Sequence, residues 1–182
     1  MGGYSCGHGW EFSAYTLYNT FYKENYNVPF IIYSKDIHPR KIQGYLQTKD
    51  IPATLLSLAN ITIPSYFKGK SLLTYEGSDY ALLEYMGGGC PDIKRRPINL
   101  GVRTDNYFVA INAYINLSFE EQSITEIYDL KKDPYEHHNL ISKKNIRTKI
   151  KRELDLLENR YNETRKQYIK KWIKRSKQYG SS

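Results

Sequence analysis

The sequence has few cysteines and no long hydrophobic run, and both shortages exclude classes of protein. No stretch approaches the roughly 20 apolar residues that a membrane-spanning helix needs; the longest apolar cluster, Val28–Tyr33, has the length of a strand. The two cysteines, Cys6 and Cys90, are too few for a disulfide framework or a zinc site. The first residues lack a charged segment followed by an apolar one, so we expect no secretory signal peptide there.

The positive charge of the chain is concentrated in one region. The formal net charge is +8, but residues 143–177 hold 14 Lys/Arg and 4 Asp/Glu, whereas the rest holds 13 and 15. Such clustering is typical of a module that binds nucleic acid, anionic lipid or a sulfated glycan. It is also typical of the solvated face of a helix docked on a body. Because the charges interleave with one apolar stripe, we favour the docked helix and expect no nucleic-acid partner.

That stripe predicts a long amphipathic helix from about residue 142 to 177, a segment without Gly or Pro. Its apolar positions are Ile146, Ile150, Leu154, Leu157, Tyr161, Tyr168 and Trp172.

The first half of the chain predicts one strand and one helix. Val28–Tyr33 is a continuous, β-rich apolar run, which is typical of a strand buried on both faces. Residues 48–59 predict a helix with Thr48 as its N-cap. The predicted apolar face of this helix consists of Ile51, Leu55, Leu58 and Ala59.

The middle of the chain predicts several short strands. Tyr80–Met86 is one, and Ile98–Arg103 and Tyr107–Tyr114 form a hairpin around the turn 104–106. Glu126–Leu130 is a further strand, followed by a turn at residues 132–135. The order of elements indicates the end of an α/β domain followed by a small α+β layer. One buried strand cannot make a parallel sheet, so we expect this chain to be the later part of a longer protein.

Three N-x-S/T sequons are candidate glycosylation sites, and they hint at a secretory-pathway history. The acceptor residues are Asn60, Asn116 and Asn162. Together with the lack of a signal peptide, they again favour an origin in a longer protein.

Five segments, in order along the chain, match a known pattern. Gly7-His8-Gly9 is similar to an Asp-His-Gly metal loop, and residues 20–32 to a "YEE…RVPLII" segment. Residues 50–61 are similar to "D(I/L)xPTLLxLAGI", residues 102–108 to "VRTDRYKY", and residues 126–140 to "ELYDLxxDPxExxNL". With these segments the chain resembles the C-terminal part of the sulfatase family, within the alkaline-phosphatase-like superfamily.

The resemblance implies a fold and a division into domains. We expect an α/β fold: the C-terminal part of an alkaline-phosphatase-like mixed-sheet domain, plus a small antiparallel sheet and a long C-terminal helix. Residues 1–75 would end the sulfatase-like α/β domain. Residues 76–182 would form a C-terminal α+β subdomain with a long basic helix from about residue 142.

The resemblance also implies a chemistry. Sulfatases hydrolyse sulfate esters with a formylglycine made in a C-x-P-x-R motif, near a divalent cation, Ca²⁺ or Mg²⁺. This sequence has no such motif, since Cys90-Pro-Asp-Ile-Lys has its proline one place too early. In the metal loop, Gly7 replaces the expected aspartate, so His8 is the one metal-ligand candidate. We therefore expect that this chain alone holds no cation and is inactive, although the family would act on a sulfated small molecule or glycan.

The basic triplet Lys94, Arg95 and Arg96 has two interpretations. It is a solvated loop or, by the resemblance, a contact for an anionic sulfated substrate. Two other hypotheses remain open for the chain as a whole. One is a non-catalytic binding module that uses the basic C-terminal helix, and the other is a relative that hydrolyses phosphate or phosphonate esters. A complete parent protein would be secreted or lysosomal.

Overall fold

A computed structural model describes residues 21, 23–35, 37–86 and 98–179, and their side chains except those of residues 24, 25, 86 and 171–179. The elements are α1 (Lys23–Tyr26), α2 (Asp50–Leu58), β1 (Tyr80–Met86), β2 (Ile98–Thr104), β3 (Tyr107–Ala113), β4 (Ser123–Asp129), α3 (Ile146–Lys149) and α4 (Lys151–Tyr179). The chain divides into a smaller unit, Val28–Leu82, and a larger unit, Met1–Asn27 with Leu83–Ser182. The predicted domain boundary after residue 75 stays a prediction.

The four strands form one sheet in the order β1-β2-β3-β4. β2 and β3 pair antiparallel with Val102 opposite Val109, and β3 and β4 pair antiparallel with Phe108 opposite Tyr128. The predicted hairpin and the strands on either side of it are therefore confirmed. The mixed α/β class with a small antiparallel sheet and a C-terminal helix is confirmed as well.

One face of the β2–β3–β4 sheet is covered by α4. The register places Leu100 opposite Ile111 and Val109 opposite Ile127, so their side chains share this face. α4 packs against β2 and β3 and contributes Leu157 and Tyr161, which are fully buried. Each large aliphatic side chain buried in this way stabilises the fold by about 1.5–3 kcal/mol.

The opposite face of the sheet carries an aromatic cluster centred on Phe108. Its ring contacts Phe21 edge-on at a centroid distance of 6.0 Å and stacks with Tyr26 at 6.2 Å and Tyr128 at 6.3 Å. Gly101 lies beside it, since a Cβ there would be 3.2 Å from the Phe108 ring. Both faces of the hairpin are therefore buried.

The C-terminal helix is present, but it begins later than predicted and is divided. α3 and α4 are separated at Ile150, and Asn145 before α3 has a left-handed backbone with φ of 65°. The predicted stripe is confirmed at Ile146, Ile150, Leu157 and Tyr161, all of which are buried. The side chain of Trp172 lies outside the described residues.

In the smaller unit, α2 is confirmed but its predicted cap is wrong. The N-cap position is Lys49, without a side-chain hydrogen bond, and not Thr48. The Asp50 carboxylate accepts hydrogen bonds from the backbone N–H of Gln47 at 3.0 Å and of Lys70 at 2.9 Å. Asp50 therefore joins the start of α2 to the segment around Lys70.

The predicted apolar face of α2 is also wrong. The buried residues are Asp50, Ala53 and Thr54, whereas Leu55 is 57% exposed. The physical reason is that the hydroxyl oxygen of Thr54 accepts a hydrogen bond from the backbone N–H of Leu72 at 2.9 Å. The helix thus packs through polar contacts with a neighbouring loop.

The predicted buried strand Val28–Tyr33 is absent. This segment has no assigned strand, and Val28, Ile31 and Tyr33 are 66%, 88% and 94% exposed. A strand buried on both faces needs paired neighbours and covering layers. In the described part of the chain, no strand pairs with this segment.

Within the described residues, no helix has the length and apolar character needed to cross a membrane.

Truncation of an aliphatic side chain should have a large effect on stability in the sheet and a small effect in the exposed segment Val28–Tyr33. Leu100→Ala should lower the free energy of unfolding by about 2–5 kcal/mol, because it leaves a cavity between β2 and α4. Ile31→Ala should change it by less than about 0.5 kcal/mol, because Ile31 is exposed. Urea denaturation of both variants measures the difference. A large loss for Ile31→Ala would contradict the exposed conformation.

Candidate functional site

The residues predicted to carry chemistry lie outside the described part of the chain. His8 and Gly7 of the metal loop and the basic triplet Lys94, Arg95 and Arg96 all fall in residues 1–20 or 87–97. Among the described residues there is no group of three or more His, Cys, Asp or Glu side chains that could hold a metal ion. The described region therefore does not fit the cation expected from the sulfatase resemblance.

The main charged cluster on the aromatic face of the sheet is centred on Arg103, near the end of β2. Its Nη1 donates a hydrogen bond to the Tyr26 hydroxyl at 2.8 Å and forms an ion pair with Glu136. The Arg103 and Glu136 side chains are only 12% and 9% exposed. We call Tyr26, Arg103, Glu126 and Glu136 the Arg103 cluster.

Local backbone geometry places Glu136 in this cluster. The Asp133 carboxylate accepts hydrogen bonds from the backbone N–H of His137 at 3.0 Å and of His138 at 2.7 Å. These bonds lower the pKa of Asp133. Glu136 itself has φ of 59°, a conformation that is rare outside glycine. The turn and the ion pair with Arg103 together compensate for that strain.

The electrostatics of the Arg103 cluster argue against an anion-binding role. The carboxylate of Glu136 already balances the guanidinium charge of Arg103. Burial raises the pKa of Glu126, and the nearby negative charge of Glu136 raises it further. A sulfate group would meet two carboxylates here, so the cluster serves to join β2, β4 and the turn after β4.

A second charged cluster joins β1 to α4 within the larger unit. The Nε of Arg160 donates to a carboxylate oxygen of Glu84 at 2.9 Å, and the Thr164 hydroxyl donates to the other oxygen at 3.2 Å. The Arg160 and Glu84 side chains are 30% and 19% exposed. This guanidinium is also balanced by a carboxylate, so it too has a structural role.

Two grooves among the described residues lack an acid–base pair. One, of about 510 Å³, has Lys70 as its one ionisable cation, and the other, of about 310 Å³, has Arg147. No carboxylate or histidine lines either groove. Neither has the paired titratable groups expected of a hydrolytic centre.

The three sequons lie in different environments. Asn60 and Asn116 are exposed, and Asn60 follows α2 with φ of 56°. Asn162 lies inside α4 and is partly buried, and Thr164 of the same sequon is only 2% exposed. Glycosylation of these residues stays a prediction.

The adjacent histidines of the turn after β4 do not form a metal site. The rings of His137 and His138 are exposed, with centroids 6.5 Å apart. His138 Nδ1 lies 3.7 Å from Asp133, whose two oxygens already accept backbone hydrogen bonds. Asp133 and Asn139 have a structural role in this turn, since Asn139 Oδ1 also accepts a hydrogen bond from the backbone N–H of Ile127 at 3.2 Å.

The Arg103 cluster was not predicted from the sequence, although Arg103 and Glu136 both lie in segments that carry the sulfatase resemblance. Arg103 lies in the "VRTD" segment and Glu136 in the "DPYE" segment, 33 residues apart. Their opposite charges were the available signal. The pairing itself follows from the antiparallel packing of β2, β3 and β4, which local patterns do not specify.

Glu136→Gln should destabilise the fold by about 2 kcal/mol, because it removes the carboxylate charge from a mostly buried ion pair with Arg103. Lys132→Gln is the matched control, since it removes an ion pair with Asp129 in which the lysine side chain is 83% exposed. The control should cost less than about 0.5 kcal/mol. Urea denaturation measures both, and equal losses would contradict a special role for the Arg103 cluster.

Glu126 predicts a pH dependence of stability. Its pKa is raised above the usual 4.5, so the folded state binds a proton more tightly than the unfolded state does. Its contribution to stability is therefore present at low pH and is lost as pH rises from 4.5 through the raised pKa. Glu126→Gln should remove that loss and increase stability at pH 7 by about 1 kcal/mol or less. Denaturation at pH 4 and pH 7 checks the sign, and a variant less stable at pH 7 would contradict it.

Comparisons with known proteins identify the family. The model of the family described as N-sulphoglucosamine sulphohydrolase, C-terminal, matches residues 8–167. A comparison with curated proteins gave no match.

Solved structures of sulfatases also match. One is a protein in complex with its substrate D-glucosamine-2-N,6-O-disulfate, with 29% identity and a TM-score of 0.44 over 66% of this chain and 24% of that chain. A candidate sulfatase from Bacteroides thetaiotaomicron has 27% identity and a TM-score of 0.46, over 64% and 24%. A 2-O GAG sulfatase has 26% identity and a TM-score of 0.45, over 64% and 24%.

This chain therefore spans about a quarter of the length of these solved relatives. The family match includes residues 8 and 9 of the first segment and the whole of the other four segments on which the sulfatase resemblance was based. The resemblance is thereby confirmed, and the chain belongs to the sulfatase family, as a member of the N-sulphoglucosamine sulphohydrolase C-terminal group.

Proposed function

We propose that this chain is the C-terminal part of a sulfatase that hydrolyses sulfate groups on a sulfated glycan. The observation that carries the proposal is the family match over residues 8–167, because the family is described by the hydrolysis of N-sulphoglucosamine. In such a reaction, basic groups and a cation stabilise the charge that develops on the sulfuryl oxygens.

We further propose that the 182 residues alone do not catalyse this reaction. The sequence lacks the C-x-P-x-R motif, and Gly7 replaces the aspartate of the metal loop. The described region adds no metal-ligand group, and the partly buried guanidinium groups of Arg103 and Arg160 each pair with a carboxylate. These features support a structural role for the sheet and α4.

Three further roles belong to the proposal. In a complete protein, carboxylates from outside this chain would hold Ca²⁺ or Mg²⁺ together with His8. Lys94, Arg95 and Arg96 would contact the anionic substrate, since they are the one basic triplet outside the C-terminal segment. Asn60 and Asn116 would be the glycosylated residues, because both are exposed and Asn162 is in a helix.

The activity test uses two proteins. The 182-residue chain, with Ca²⁺ or Mg²⁺, should release no sulfate from an aryl sulfate or from N-sulfated glucosamine above a heat-killed control. If the genomic DNA upstream of Met1 contains an in-frame sequence with C-x-P-x-R, the longer protein should release sulfate from the N-sulfated sugar. Sulfate release is measured by ion chromatography.

Each outcome of this test decides something. Turnover by the short chain would overturn its proposed inactivity. A longer protein that hydrolyses an aryl phosphate or a phosphonate ester, but no sulfated sugar, would overturn the sulfatase proposal. Replacement of Lys94, Arg95 and Arg96 by Gln in the longer protein should raise KM, because it removes contacts to the anionic group.

A further inference from the structure

Five exposed cationic side chains lie within nine consecutive residues at the start of the C-terminal helical segment. We call them the basic patch: Lys143, Lys144, Arg147, Lys149 and Lys151. Residues 143–152 contain no Asp or Glu. In the described part of the chain, none of these five side chains forms an ion pair, in contrast to Arg103 and Arg160.

The backbone beneath the basic patch is fixed. Ile146 at the start of α3 is 8% exposed, and Ile150 just after its end is fully buried. Both ends of α3 are therefore packed against the rest of the larger unit. The backbone N–H of Lys143 donates to the carbonyl of Leu140 at 2.9 Å, and that of Ile150 to Ile146 at 3.2 Å. A fixed backbone means that little main-chain entropy is lost when a ligand binds to the side chains.

The basic patch is separate from the other basic stretch of the chain. The middle of α4 is acidic, with Glu153, Asp155, Glu158 and Glu163. Basic residues without acidic neighbours resume only at Arg165, whose Nε donates to the carbonyl of Ile115 at 3.0 Å. With a rise of about 1.5 Å per residue, the two basic stretches are about 20 Å apart along the helix.

The composition of the patch favours a partner that is recognised by its charge alone. Residues 143–152 contain no aromatic side chain on which a nucleic-acid base would stack. Their two apolar side chains, Ile146 and Ile150, are buried, so the patch offers no group for insertion into a membrane. What remains is a group of exposed cations that can contact several anions of one chain.

We infer that the basic patch binds a sulfated glycan chain. The choice of a glycan over other polyanions rests on the proposed function and on the composition of the patch. Sulfate groups are permanently ionised, so this binding should depend strongly on salt and weakly on pH.

The test measures binding by the intact 182-residue chain. The probe is a fluorescent, N-sulfated heparin octasaccharide, with an unsulfated oligosaccharide of equal length as a negative control. The patch variant is Lys144→Gln/Arg147→Gln/Lys151→Gln. The matched control, Lys35→Gln/Lys41→Gln/Lys68→Gln, removes the same charge from exposed positions of the smaller unit. Thermal unfolding of each variant checks that the fold is retained.

The patch variant should bind the octasaccharide at least about tenfold more weakly at 0.1 M NaCl, with a smaller dependence of affinity on salt. The control variant should bind within about twofold of the unchanged chain, because charges outside the contact act only through a screened field. Equal losses in both variants, or no loss in the patch variant, would overturn the inference. So would a loss confined to Lys166→Gln/Lys170→Gln, which would place binding at the far end of α4.

Two further arms test the choice of partner. Single-stranded DNA of 20 nucleotides and vesicles containing phosphatidylserine are compared at equal salt, and tighter binding of either one would overturn the glycan assignment. The proposed function is tested separately by sulfate release. Hydrolysis without binding at the patch would remove this inference alone, and binding without hydrolysis in the longer protein would remove the proposed function alone.

Discussion

Both faces of the β2–β3 hairpin have to be covered, and the larger unit is organised by that constraint. One face receives Leu157 and Tyr161 from α4, and the other receives the aromatic cluster around Phe108. The hairpin is therefore a central layer, with neither of its faces exposed to solvent. This arrangement explains why α4 is amphipathic, and why Gly101 lacks a side chain where the Phe108 ring packs.

The same constraint brings charge into a partly buried layer. Arg103 on β2 and Glu126 on β4 lie on the face of the sheet that carries the aromatic cluster. Their charged groups are therefore partly removed from water. Arg103 is stabilised there by Glu136, and Arg160 by Glu84 on the edge of β1. Arg103 and Arg160 thus form structural ion pairs within the larger unit. The cations of the basic patch, in contrast, are exposed and form no ion pair among the described residues.

The sequence was sufficient to predict the structure where an element pairs with its immediate neighbour along the chain. The hairpin from Ile98 to Ala113 pairs with itself through a short turn, and alternation along two adjacent strands predicts that. The apolar stripe of the C-terminal segment was also predicted, because helical spacing is a local property. The Arg103–Glu136 pair was not, since it depends on how distant strands pack. The predicted site residues His8 and Lys94–Arg96 lie outside the described residues.

The two errors in the smaller unit have a common physical cause. Hydrophobicity predicts that a residue is stabilised by burial, but it does not say which surface buries it. In α2, Asp50 and Thr54 accept hydrogen bonds from the backbone N–H groups of the loop at residues 70–72, which determines the face that turns inward and leaves Leu55 exposed. In Val28–Tyr33, an apolar run is present without a covering layer in the described part of the chain. An apolar run of this kind forms a buried strand only when other elements pair with it and cover it. The described residues of the smaller unit provide no such elements for Val28–Tyr33.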